Sequence, residues 1–223
     1  MKKHPRGLTS TMEQRLAAYV AASAAGAGLL AAQPGEAKII YKSANIPIAV
    51  DTGTVYLDVN GDGIDDFGFS NGYTGPNGPQ EGNHASSVLV GPAHLANRVW
   101  AIQSDKHVCA AALEKGETIG PGSPFEKGNS LLPMAFGRGN SISGSAGCPW
   151  VKVTEHYLGF KFAIKGRTHF GWARVKMGGL GNIDYIVGYA YETVADTPIV
   201  SGATSGPSEQ PRTLGELALG TTR

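Results

Sequence analysis

Charge is scarce in this chain and evenly divided. Lys and Arg number 19 and Asp and Glu 18, together 17% of 223 residues. No basic surplus exists to neutralise phosphates, which excludes electrostatically driven nucleic-acid binding. Catalytic signatures are missing too: no HExxH helix, no zinc-type Cys/His spacing, no GxSxG elbow and no GxxxxGK[ST] phosphate loop. His84, His94, His107, His156 and His169 form no cluster by spacing, and His169, between Thr168 and Phe170, reads as a satisfied imidazole in a strand. Ser143 and Ser145 lack the flanking glycine pair of a nucleophile and read as loop residues.

Cysteine is nearly absent. An even pair, Cys109 and Cys148, predicts one disulfide in an oxidising compartment, and two buried thiols are the alternative. Closing a loop of that length stabilises by roughly 4 kcal/mol in the chain-entropy view. Glycine and proline are plentiful instead, 32 and 13. That composition disfavours long helices, requires frequent turns and points to an all-β domain.

The first 37 residues stand apart. Lys2, Lys3, Arg6 and Arg15 precede a charge-free, alanine-rich run over 16–35, and Ala37 ends a small-residue stretch. This order predicts a secretory signal peptide over 1–37, with Met12 as a second possible start. A membrane anchor is the alternative, but a run of mostly alanine with Gly26 and Gly28 inserts weakly. Removing four of 19 basic and two of 18 acidic side chains leaves 15 against 16, a formal charge of −1. The remaining chain is long enough for one domain with a sizeable core. The expected location is secreted, periplasmic or cell-surface.

Residues 58–66, DVNGDGIDD, hold the most specific pattern. Asp58, Asn60 and Asp62 offer oxygens at alternate positions, Gly63 permits a sharp turn, and the Ile64 carbonyl and the Asp66 carboxylate follow. Hard oxygen ligands at this spacing predict a structural calcium ion. Phe69 stands where a helix-loop-helix hand would place a bidentate Glu, and the flanks TVYLDV and FGFS favour strand, so the expectation is a calcium-clamped β-hairpin. An ion-free Asn/Gly/Asp turn is the alternative.

Downstream, 38–42 and 46–50 read as short strands, with Pro47 marking an edge. Residues 87–90 and 98–102 read as strands around a Gly91-Pro92 turn. A helical turn is expected over 110–115 and long ordered loops through 147. The segment 158–192 alternates with period two and predicts a three-stranded antiparallel meander. Phe170 and Trp172 fall on one face of its middle strand, and Ala173, Val175 and Met177 on the other. Two covered faces imply a second sheet, hence an antiparallel, jelly-roll-like β-sandwich over 38–200. Residues 201–223 read as a flexible tail. Tyr185, Tyr189 and Tyr191 are expected to share one strand face as a platform for an extracellular glycan or matrix. Glu155, Glu192, Asp184 and Asp105 could pair as acids of a secreted hydrolase, at a separation of about 5 to 10 Å.

YLGFKFAIKGRTHFGWARVKM (157–177) and YIVGYAYETVADTPI (185–199) resemble the closing hairpin of exported bacterial proteins with a PEP-CTERM sorting signal. The leader and LDVNGDGIDDF are similar in style to the same group. The resemblance implies export and a β-sandwich rather than an activity. At 209–220, EQPRTLGELALG resembles the start of such a signal, but Gln210 breaks its Pro-Glu-Pro run and Glu216 interrupts its apolar span. The expectation is a protein that is exported and not catalytic, with no stable membrane span in its mature chain.

Overall fold

The computed structural model describes residues 37–74, 85–104, 106–138, 148–179 and 182–206. The leader before residue 37, His84, Asp105, Ser143, Ser145 and the tail after 206 lie outside them. The described residues are all-β. The strands are β1 (Ile39–Ile48), β2 (Thr54–Leu57), β3 (Phe67–Thr74), β4 (Ala85–Pro92), β5 (Arg98–Val99), β6 (Ala101–Ser104) and β7 (His107–Ala110). There follow β8 (Thr118–Ile119), β9 (Leu132–Arg138), β10 (Glu155–Ile164), β11 (Arg167–Lys176), β12 (Asp184–Glu192) and β13 (Ile199–Val200). A single 3-10 turn, Pro149–Lys152, is the one helical element among the described residues, and no helix there is long and apolar enough to cross a membrane.

Two antiparallel sheets carry the fold, one in the order β1-β12-β11-β10-β5 and one in the order β2-β3-β4-β9. The meander appears as β10, β11 and β12. Lys165 (φ 50°) and Gly166 (φ 77°) form its first turn, a tight reversal that needs two left-handed residues. Side chains from both sheets fill one core: Phe67, Phe69 and Val90 from the smaller, Phe160, Phe162 and Val175 from the larger. Trp172 and Phe170 face away from it into a second buried cluster with Leu113, Ile119 and Ile199. Both faces of β11 are therefore covered around Phe170 and Trp172, as the alternation of its residues implies.

Three local expectations are corrected. Ile39–Ile48 makes one edge strand with a bulge between Ser43 and Ile46, in place of the two strands expected over 38–42 and 46–50, and Pro47 sits on that edge. Gly91 and Pro92 pair with Gly68 and Phe67 and so lie within β4; the chain turns after them. Residues 110–115 are extended, because Leu113 exchanges backbone hydrogen bonds with Tyr157 (2.8 and 2.9 Å) and drops its side chain into the second cluster. The central stretch also supplies β9, whose Leu132 and Met134 are core residues. Cys109 and Cys148, both buried, form a disulfide with Cα atoms 5.7 Å apart.

Candidate metal centre

The aspartate-rich turn joins β2 to β3, and the pair Leu57 and Phe67 closes its base in the core. Gly61 (φ 80°) and Gly63 (φ 85°) take the left-handed conformation that lets nine residues fold back on themselves. Asp58 then accepts backbone N–H groups from Gly61 (2.7 Å) and Asp62 (3.3 Å) at Oδ1 and from Gly63 (2.8 Å) at Oδ2. Asn60 Oδ1 accepts from the Asp62 N–H (3.2 Å), and Asp62 Oδ1 accepts from the Ile64 N–H (2.9 Å). Asn60 Nδ2 donates to Asp62 Oδ2 at 2.9 Å. The turn thus brings Asp58, Asn60 and Asp62 together on its exposed side, with Ile64 exposed beside them.

Asp66 lies at the buried base of the hairpin rather than on its exposed side. Only 5% exposed, it accepts from the Val59 N–H (2.9 Å) at Oδ2 and from Asn97 Nδ2 (3.0 Å) at Oδ1. Both carboxylate oxygens hold the base of the hairpin. Burial pushes its carboxyl up to about 6; the bonds from Val59 and Asn97 pull down, and the charges of Asp58 and Asp62 push further up. Among the described residues, no group of three His, Cys, Asp or Glu side chains is placed to hold a metal ion. The oxygen donors that the turn gathers on its exposed side are the Asp58 and Asp62 carboxylates and the Asn60 amide oxygen.

The turn lies beside the larger sheet. A Cβ on Gly61 would come within 3.0 Å of Lys42 Nζ, which sits 5.6 Å from the centre of the Tyr189 ring. Burial raises the pKa of Tyr189 and of Tyr191, and the charge of Asp58 adds to both. Sequence reasoning missed Lys42 and Asn97, because a lysine alternating along a strand and an asparagine before one carry no distinctive signal.

The proposed tyrosine platform is not assembled. Gly188 pairs with Arg174 while Ile186 pairs with Val175, so Val187 is an extra residue and the faces of β12 exchange across it. Tyr191 is buried in the main core and Tyr189 packs against it, whereas Tyr185 stands opposite Lys176 on the other face. The candidate acids separate as well. Glu155 pairs with Lys176, whose other neighbour is Tyr185, and Glu192 lies seven residues along β12 from Tyr185, roughly 20 Å at strand rise. Asp184 is fully buried and accepts from the Gly178 N–H (2.7 Å) and Asn71 Nδ2 (3.1 Å). His169, 6% exposed, uses Nδ1 on the Glu192 carbonyl at 2.9 Å. No protein-family model matches the chain, and neither a curated protein nor a solved structure matches it significantly.

Proposed function

We infer that this is an exported, non-catalytic β-sandwich protein whose aspartate-rich hairpin is clamped by a structural calcium ion. The observation that carries the reading is the convergence of Asp58, Asn60 and Asp62 on the exposed side of a turn whose base is fixed by the buried Asp66. Burial raises the pKa of Asp66 and the negative charges of Asp58 and Asp62 add to it, and a divalent cation held by those two would offset that charge. When bound, the ion supplies charge neutralisation and rigidity, not chemistry. The disulfide supports export, since such bonds persist outside the reducing cytoplasm. The resemblance to PEP-CTERM proteins supports the same address.

Calorimetric titration of residues 38–223 with calcium tests the reading. Saturable binding that disappears in Asp62→Ala is the expected result. Absence of heat in the unaltered chain, with the protein folded, would reduce the hairpin to an ordinary turn.

A further inference from the structure

The outer face of the larger sheet, away from the main core, is only partly roofed. Pairing across β1, β12, β11 and β10 gives three successive rows: Tyr41, Ala190, Trp172 and Gly159; then Ser43, Gly188, Arg174 and Tyr157; then Pro47, Tyr185, Lys176 and Glu155. The first row is covered, because a Cβ on Gly159 would meet Leu113 at 2.9 Å, Trp100 at 3.2 Å and Ile119 at 3.4 Å. The next two rows emerge from beneath that roof except at the tip of Tyr157, where a Cβ on Gly202 would come within 2.9 Å of Oη. Ser43, Pro47, Lys176 and Glu155 are exposed, and Tyr157, Tyr185 and Arg174 are half-buried.

These rows combine aromatic rings with a net positive charge. Tyr157 on β10 and Tyr185 on β12 flank β11 one row apart, roughly 12 Å at ordinary strand spacing and rise. Gly188 leaves a shelf between them, and Tyr41 leans onto it, with Oη 2.9 Å from the position a Cβ would take. Arg174 stands beside the shelf. Its Nε–H is buried without an acceptor, and its Nη1 pairs with Glu155 at 3.5 Å between partly exposed groups, so the outer end of the guanidinium keeps N–H groups for an incoming acceptor. Lys176 adds a second cation against the single acid Glu155.

We propose that this strip of Tyr41, Tyr157, Arg174, Lys176 and Tyr185 is a binding face for a uronic-acid polysaccharide. Sugar rings present apolar faces that suit tyrosine, their hydroxyls suit its phenol group, and a uronate carboxylate matches the planar fork of arginine. An open sheet face accepts an extended chain laid across the strands. The proposal stands apart from the calcium reading, which concerns the opposite side of the sheet.

The test is calorimetric titration of the full chain with oligogalacturonate, with a neutral malto-oligosaccharide and with polyglutamate of matched length. Binding of oligogalacturonate, weakened on the order of tenfold or more in Arg174→Gln and in Tyr185→Ala and unchanged in Asp62→Ala, is the expected result. Thermal melts of each variant separate lost binding from lost folding. No binding, equal binding of polyglutamate, equal binding of the neutral sugar, or indifference to both substitutions in folded protein overturns the proposal.

Discussion

Asn97 holds Asp66 from two sides: its Nδ2 donates to the Asp66 carboxylate at 3.0 Å and to the Asp66 carbonyl at 3.1 Å. Its Oδ1 accepts from the Ala163 N–H at 3.1 Å, so one buried amide ties the hairpin to the end of β10. Asn97→Ala leaves a buried carboxylate, a carbonyl and an N–H short of partners. The expected loss is about 2 to 4 kcal/mol, read from the urea midpoint at constant m value.

Acidity acts on Asp184 in an uncommon direction. Burial raises its carboxyl from 3.8 to about 6, while the Gly178 N–H pulls the other way. An acid whose folded pKa exceeds its unfolded value binds more protons folded than unfolded between roughly pH 4 and 6. Stability therefore falls as pH rises through that window. The contribution is up to about 3 kcal/mol. Urea unfolding in chelator is expected to show a higher midpoint at pH 5 than at pH 7.5, with about half of the difference lost in Asp184→Asn and the rest carried by Asp66. An identical pH slope in that variant would contradict the assignment.

Gly171 lies where the two cores meet β11. A Cβ there would strike the Phe160 ring and come within 2.6 Å of the Ala190 carbonyl oxygen. Backbone cannot yield cheaply, so Gly171→Ala is expected to cost about 3 kcal/mol or more, seen as a lowered melting temperature.

The bond between Cys109 and Cys148 closes a separation of 39 residues. Replacing both cysteines with alanine is expected to cost roughly 4 kcal/mol in the chain-entropy view. Melts of the variant and of the native chain under reductant should agree with each other and fall below the oxidised protein.

The legible parts of the fold were those with uninterrupted alternation. Phe160 and Phe162 on β10, and the split of Trp172 from Val175 on β11, follow from period two alone. Alternation misled on β12, because the extra Val187 exchanges its faces and sends Tyr189 inward; the isolated Gly188 beside it is the one local signal of a bulge. The central stretch hid β9 because Pro133 and the surrounding glycines read as loop, while long-range pairing with β4 supplies the order. Within the hairpin, the sequence places Asp66 in a ligand position. Only the fold reveals Asn97 beside it, a contact made across 31 residues.

The central claim is that calcium clamps the hairpin, and the most direct measurement is the melting temperature of residues 38–223 in calcium and in chelator, for the native chain and for Asp62→Ala. The account predicts a higher melting temperature in calcium for the native chain, rising with calcium concentration as a folded-state ligand requires, and no shift in the variant. Equal melting temperatures in calcium and chelator for the native chain would contradict it.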